Sequence, residues 1–539
     1  MSIQEVEQCA IVKVYHQETK HFPYRPARSL GYMDWDNQPI PFRAYQGAAH
    51  IQLPLPEKDR QLPYDALYDK NIASVSTISL ASIGTMLALS MGLSAWKKQD
   101  SSQWALRMNP SSGNLHPTEC YLLLPGFAQR PACLTHYHPY LHVLEEMSTF
   151  DPQASAQLCD IGGFGIILTS IAWREAWKYG ERAYRYCQLD LGHALAALRY
   201  ACNLNGWNMT IITQLTEQTL DNFLGFEQFP SVNSEAEHAD CLCWISGKDI
   251  DAQQISEWLY KQEAPDYQYA PNQLSTHHID WELISRVQQA AQSTGTDIKQ
   301  NNNLGKRTQA TGQPLSSPYS AEAIIRKRRS AQNFQRGTNQ IALATFLDTL
   351  AKTLPANACP FDVYPYPTQA HLAIFVHAVS GLDSGLYMFV RNSQHLLLLQ
   401  QQSAPDFQWQ VVQEGFPLYL LQKGDFRSKA QALSCGQAIA GDSAYSLGMI
   451  ARFDSLLTED PSMYPRLFWE TGLIGQVLYL QAEAFALRGT GIGCFFDDQM
   501  HKLLGFSDSH WQSLYHFTVG RPIEDLRVTT KVPYDHLQR

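Results

Sequence analysis

The sequence predicts an α+β chain of two tandem halves, each with helices packed on an antiparallel sheet. Three observations lead there. Tyr184 and Gly192 recur as Tyr464 and Gly472, an offset of 280 residues that also carries Leu198 onto Leu478, Thr210 onto Thr490 and Ile212 onto Ile492. The same offset places Leu224-Gly225-Phe226 on Leu504-Gly505-Phe506 without a gap. Between the copies, residues 262–317 dissolve into Gln, Asn, Thr, Ser and Gly, including Gln300-Asn301-Asn302-Asn303, with one short helical interlude at 281–287; this is the composition of a linker. Helix-spaced apolar stretches interleaved with short apolar runs then give each half both element types.

Taken in order, residues 1–64 are rich in Pro and aromatics but poor in periodicity and are expected to form an ordered wrapping arm. The first half spans 65–261. Apolar residues at three and four spacing around Leu80 to Leu87 predict a helix leading into a polar loop at 107–117, with a strand over 121–124 after it. Residues 134–144 predict a strand pair turning at His138-Pro139, and 166–171 a buried strand. A long helix over 190–205 keeps Leu191, Leu195, Leu198 and Cys202 on one face and ends at Gly206. The second half spans 318–539, including a C-terminal tail. Leu343-Ala344 matches Leu80-Ala81 at a different offset, as loops of changed length would require.

Composition narrows the function classes. With 45% hydrophobic, 11% aromatic and 17% charged residues the chain is globular. Its 51 acidic against 41 basic residues, without a long basic block, exclude a nucleic-acid partner. The eleven cysteines contain no Cys-x-x-Cys pair; Cys241 and Cys243 share one face of a strand and lack a second ligand pair at zinc spacing, so reduced thiols and no metal site are expected. No run approaches a membrane span and no basic-then-apolar segment opens the chain, which places it in the cytoplasm as an expectation.

The chemistry concentrates at Arg107-Met108-Asn109-Pro110-Ser111-Ser112-Gly113-Asn114-Leu115-His116-Pro117, where short polar side chains sit on a backbone stiffened by two prolines. Alone, the loop reads equally as a polar turn. The two halves have diverged in complementary ways. The second half carries Tyr364-Pro365-Tyr366-Pro367-Thr368-Gln369 in place of the loop. It alone has Arg326-Lys327-Arg328-Arg329-Ser330 and Gly489-Thr490-Gly491-Ile492-Gly493, where the first half has Asn71-Ile72-Ala73-Ser74 and Asn208-Met209-Thr210-Ile211-Ile212. A solvated helix face also accounts for the basic run, and a plain turn for the glycines.

These residues resemble the nitroreductase-like flavoproteins, and within them the SagB-type (thiazole/oxazole-forming) dehydrogenases. The resemblance covers roughly 65–250 and 318–525 and rests on Arg-x-x-Pro-Ser-x-Gly-x-Leu-His-Pro at 107–117, Arg-Arg-Ser at 328–330 and Gly-Ile-Gly at 491–493. It implies FMN at a subunit interface, here between two fused halves acting as an intrachain pseudo-dimer, as a monomer or a higher homo-oligomer. Arg328, Arg329 and Ser330 would hold the phosphate, with Arg527 or Lys531 sharing the load because Gln332 stands where many relatives carry a base. Gly491, Ile492 and Gly493 would bring main-chain amides to the ring edge. Arg107, Pro110, Ser111, Ser112 and Asn114 would meet the pyrimidine edge, and His116 is a structural loop histidine. Trp177-Lys178-Tyr179-Gly180-Glu181-Arg182 resembles the segment that carries a Lys-Tyr pair implicated in removing a substrate proton. Its second-half counterpart is Thr458-Glu459, and a surface lysine stacked on Trp177 explains Lys178 equally well.

The leading expectation is therefore an FMN-dependent oxidoreductase with Lys178 and Tyr179 as catalytic residues, acting on a small molecule or a modified peptide such as an azoline. An NAD(P)H-dependent nitro, quinone or enone reductase is the alternative within enzymes, and a non-catalytic flavin-binding scaffold the alternative outside them.

Overall fold

The computed structural model describes residues 3–56, 58–70, 73–127, 130–229, 235–295, 304–305, 315–337 and 340–537. Gln300-Asn301-Asn302-Asn303 of the expected linker, and Asn71 and Ile72, lie outside them.

Two antiparallel seven-stranded sheets share the order of six strands and differ at one edge, filled in the first by Ala49–Gln52 from the N-terminal arm and in the second by Gln410–Gln413, which forms a hairpin with the strand that follows it. In the first the order runs Ala49–Gln52, Val143–Thr149, Cys133–His138, Thr118–Leu124, Phe164–Ile171, Glu237–Ser246, Asn208–Ile211. In the second it runs Gln410–Gln413, Phe416–Lys423, Gly385–Phe389, Ala370–Val376, Tyr445–Arg452, Trp511–Gly520, Arg488–Ile492. The central strands of each are buried along their whole length, which is why they read as unbroken apolar runs rather than alternating ones.

At the centre, the helices Ala183–Leu204 and Met463–Ala484 pack on each other, and every residue of both is buried. Gly192 and Gly472, the offset-related pair, meet at the crossing. A Cβ on Gly192 would lie 2.4 Å from the Trp469 carbonyl oxygen, and one on Gly472 2.4 Å from that of Leu189. Backbone on both sides cannot yield. Gly192→Ala is accordingly expected to lower stability by about 2 kcal/mol, overpacking outweighing the ~1 kcal/mol gained in helix propensity, read as a lower urea midpoint.

The structure differs from the sequence expectation at three places. The helix Leu80–Ser90 does not lead straight into the polar loop: a hairpin, Leu93–Gln99 with Ser102–Arg107, lies between. Its outer edge is covered by Thr529–Lys531 from the C-terminal tail, which brings the last segment of the chain onto the first half. The wrapping arm begins with the helix Ile3–Glu18, whose weak amphipathicity hid it. His16 there contacts the Tyr464 hydroxyl (3.2 Å) and Gln512 (3.1 Å), and Lys20 pairs with Asp498 (2.8 Å), so the arm straps the second half. Third, the described part of the linker is anchored. Leu274 N–H donates to Glu235 (2.8 Å), Trp173 Nε1 donates to Ser275 (2.8 Å), and the helix Glu282–Ala290 packs on the N-terminal one. Its buried apolar anchors, Leu274, Trp281, Ile284 and Val287, are few among polar residues, so composition alone masked them.

Candidate functional site

The polar loop at 107–117 is held from three sides. Main-chain bonds from Met108 to Gly92 (2.9 Å) and from Asn109 to Ser90 (3.0 Å) tie its start to the end of the helix Leu80–Ser90. A single helical turn, Ser112–Asn114, carries Gly113 at φ 60°, and Asn114 and His116 are also left-handed at φ 61° and 53°. The loop's own side chains stabilise those conformations. Asn114 donates to the Ala105 carbonyl (2.9 Å) and contacts His116 Nε2 (3.0 Å), and Ser111 Oγ accepts from the His116 N–H (2.8 Å). From below, Asp190 on the central helix accepts from the Ser112 N–H (3.0 Å) and hydroxyl (3.0 Å). From behind, Arg174 donates to the His116 carbonyl (2.6 Å) and to Glu119 (2.5 Å).

That last contact continues as a buried charge chain. Glu119 meets His136 Nε2 at 3.1 Å and Glu145 meets Nδ1 at 2.8 Å. Burial alone would push the imidazole pKa down, but the two carboxylates outweigh it and raise it from 6.5 to about 9. A histidine raised in the folded state contributes stability that is complete below pH 6.5 and lost as pH rises through 9. The unfolding free energy, read from urea midpoints, is expected to fall across pH 7–10 by about 3 kcal/mol in all, and this slope should flatten in His136→Gln.

The second half supplies the opposite wall. Ser330 bridges to Gly489, the Ala331 N–H donates to the Gly489 carbonyl (3.0 Å), and Ser330 Oγ meets the Tyr479 hydroxyl at 2.9 Å. Between the halves lie two cavities that share Pro110, Ser111 and Ser330. The larger, of about 470 Å³, is cationic, with Lys97, Arg328, Arg329 and Arg488 in its wall. The smaller, of about 260 Å³, is walled by Tyr179, Tyr186, Tyr479 and Tyr515 together with Gly491, Ile492 and Gly493.

The cations are mutually frustrated. Arg328 is buried, its Nη2 donates to the Arg107 carbonyl (3.1 Å), its plane lies 5.1 Å from the Tyr479 centroid, and its Nε has no partner among the described residues. Burial lowers its pKa. Burial and then Arg328 lower that of Arg329 to about 10, and burial and then Arg329 lower that of Lys97. The nearby carboxylates are spent: Glu483 on Lys327 (3.5 Å) and Arg488 (3.7 Å), Glu524 on Arg488 (2.7 Å) and Asp525 on Arg527 (2.7 Å). An anion would relieve all of these at once.

Most predicted residues converge here, with differences in what they do. Arg107, Pro110, Ser111 and Asn114 line the cationic cleft and Ser112 the aromatic one. Arg107 is buried, donates to the Pro41 carbonyl and lies over Phe42 (5.6 Å), while Asn114 is committed to the loop itself. Arg329 spends its guanidinium on the carbonyls of Arg326 (2.8 Å), Arg328 (2.6 Å) and Ser94 (2.8 Å). The amide of Gly491 is taken by the Tyr479 hydroxyl (3.0 Å). Glycine is required at 491 and 493 for another reason: a Cβ would lie 1.8 Å from Tyr515 Oη and 2.1 Å from the Tyr186 ring.

Arg527 and Lys531 do not line the cleft. Arg527 points to solvent and is held by Asp525 (2.7 Å). Lys531 is exposed at the end of a strand whose Thr530 faces the cleft, and alternation turns Lys531 away. Lys97 and Arg488 stand in their place. Tyr179 lines the aromatic cavity, but Lys178 does not, and its Nζ lies 5.3 Å from the Tyr179 centroid. Burial, and then Glu175, raise the Tyr179 pKa, so the phenol is neutral at ordinary pH.

Sequence reading missed Asp190 and Glu175, both buried carboxyls beside the loop. Burial raises Asp190 to about 7, and burial and then Asp190 raise Glu175. Asp190 was visible only as one polar position in an apolar helix.

The offset-related place in the other half is filled. Glu470, the counterpart of Asp190, accepts from the Gln369 (2.9 Å) and Ala370 (3.1 Å) N–H groups. Arg466, the counterpart of Tyr186, lies between Tyr366 (5.8 Å) and Trp469 (4.8 Å) and pairs with Glu217. About 30 Å³ of cavity remains there. Among the described residues no cluster of His, Cys, Asp and Glu is arranged to hold a metal, and no helix is long and apolar enough to cross a membrane.

No family model matches the chain, and no curated protein matches it. Among solved structures, a "putative nitroreductase" of Anabaena variabilis aligns over 95% of this chain and 99% of its own, with a TM-score of 0.69 at 22% identity. A protein of the same description from Ralstonia eutropha aligns over 41% of this chain and 89% of its own (TM-score 0.27, 15% identity). A chain of the Escherichia coli microcin synthetase McbBCD complex aligns over 46% of this chain and 94% of its own (TM-score 0.25, 16% identity). The first likeness establishes the fold across both halves.

Proposed function

We propose that the chain binds one FMN between its halves and works as an oxidoreductase. The observation that carries this is the junction of a cationic cleft, whose buried Arg328 has no acidic partner among the described residues, with an aromatic-walled cavity. A phosphate-bearing, flat-ringed ligand fits that pair of environments. Arg328, assisted by Lys97, Arg329 and Arg488, would hold the dianionic phosphate, each charge-assisted hydrogen bond being worth ~1.5–3 kcal/mol. Ser111, Ser112 and the Gly491–Gly493 turn would flank the ring. The name of the Anabaena protein, which shares the fold, agrees with this reading.

When bound, FMN supplies two-electron hydride chemistry. The chain's own residues then have distinct tasks. Tyr179, neutral and in the cavity wall, can donate a hydrogen bond that orients a substrate, and Lys178 beside it would take the substrate proton. Asp190 holds the loop through Ser112 and titrates near neutrality, so this hold changes with pH. Such acid/base help is worth ~10²–10⁴ in rate. Retention of Lys178-Tyr179 on the side of the intact loop favours a SagB-type dehydrogenation of a peptide azoline. An NAD(P)H-dependent reductase of nitro compounds, quinones or enones is the second reading, favoured by the same open ring cavity.

Because the counterpart site is filled by Tyr366, Arg466 and Trp469, the expected stoichiometry is one FMN per chain, read from the visible spectrum of the purified protein and by titration. A colourless protein that takes up no added FMN overturns the proposal, and two FMN per chain overturn the single site. A screen of reductants and oxidants against the flavin spectrum separates the two substrate readings.

A further inference from the structure

Cys494 follows Gly493 directly and lines the aromatic cavity, and its thiol lies beside that of Cys435. The two segments are laced together on either side of the thiols: the Phe496 N–H donates to the Leu433 carbonyl (2.8 Å) and Gln437 Nε2 to the Cys494 carbonyl (3.2 Å). Cys435 sits at φ 54° in the tight turn after the helix Arg427–Leu433, and both cysteines are partly exposed. We propose that Cys435 and Cys494 form a redox-active dithiol that closes to a disulfide in the wall of the ring cavity.

The surroundings single out Cys494 as the attacking thiol. His21 is its neighbour; His21 Nδ1 accepts from the Ala27 N–H (3.0 Å), which leaves the ring proton on the other nitrogen, free to donate to sulfur. Arg182 donates to the neighbouring Gly493 carbonyl (3.2 Å), and the nearby Asp497 is neutralised by Arg182 (3.3 Å) and Arg185 (2.9 Å). The neighbouring Cys435, then His21 and Arg182, outweigh burial and lower the Cys494 pKa to about 5, while Cys435 is raised. Cys241 and Cys243 make the contrast. Their sulfurs are 4.0 Å apart, but both are buried on one strand, and the Cys241 pKa is raised. Proximity without stabilisation of a thiolate leaves such a pair inert.

The co-reactant is a small-molecule disulfide such as oxidised glutathione. The Cys494 thiolate attacks one of its sulfurs, the S–S bond breaks, and one glutathione thiolate leaves. Cys435, losing its proton, then attacks the Cys494 sulfur of the mixed disulfide and expels the second glutathione. The protein dithiol is oxidised by two electrons, and the reagent is reduced to two thiols. The new bond would fasten the Gly491–Gly493 turn to the 434–437 loop and so fix the mouth of the ring cavity.

The test needs no FMN, so its failure is separate from failure of the flavin reading. The reduced full-length protein is equilibrated anaerobically in buffers of graded reduced-to-oxidised glutathione ratio, quenched in acid, alkylated and mapped by peptide mass. Expected are loss of two of the eleven thiols and a linked Cys435–Cys494 peptide whose fraction follows the buffer ratio. In Cys435→Ser, Cys494 should instead accumulate as the glutathione adduct, and at pH 6.5 it should alkylate at least about tenfold faster than exposed Cys159. A Cys494 that stays free in oxidised glutathione, or that collects as the adduct in the unaltered chain without forming the link, overturns the proposal.

Discussion

Arg328→Ala is expected to weaken FMN binding by about 10²–10⁴-fold, measured by fluorescence titration of the protein stripped of flavin. The estimate follows from losing two charge-assisted hydrogen bonds to the phosphate, at ~1.5–3 kcal/mol each and 1.4 kcal/mol per tenfold. The side chain is buried with an unpartnered Nε and a pKa lowered by desolvation, so the folded protein bears a cost that only an anion offsets. A second readout separates this role from a structural one. The stripped variant should melt close to the unaltered protein, whereas the rise in Tm on adding FMN should largely vanish. Unchanged affinity would remove Arg328 from the phosphate site. Arg329 is a weaker test than its sequence position promised, because carbonyls of both halves already occupy its guanidinium.

Lys178→Ala is expected to leave FMN bound and to slow flavin reduction by the substrate by ~10²–10⁴, the span of a lost general base. Lys178 lies outside both cavity walls, so occupancy should be untouched. Stopped-flow bleaching of the flavin band reads the rate directly. Tyr179→Phe should have a smaller effect, since a neutral phenol orients rather than accepts a proton. If Lys178→Ala reduces flavin at the ordinary rate, proton removal lies elsewhere, and the buried carboxyls Glu175 and Asp190 become the groups to examine.

What could be read from the amino acids was local or repeated. Gly192 and Gly472 stood out in the sequence as an offset-related pair, and the structure places both where two helix backbones touch. The 107–117 loop and the 491–493 turn stood out because left-handed conformations and sub-van-der-Waals approaches admit few residue types. The strands with unbroken apolar runs were visible for the same reason: burial on both faces leaves a one-dimensional trace.

Tertiary structure decided what depends on direction and on distant partners. A count of basic residues near the phosphate end could not tell Lys97 and Arg488, which face the cleft, from Lys531, turned away by strand alternation, and Arg527, captured by Asp525. Asp190 became a loop anchor only when the central helix passed beneath Ser112. The pairing of Cys435 with Cys494 spans a separation no local pattern encodes. The sequence by itself thus determined the two-halved α+β architecture and the segments where chemistry gathers, since those rest on periodicity and local backbone constraint. Which side chains face one another across the cleft was settled only by packing, because that is a property of three-dimensional approach rather than of neighbours along the chain.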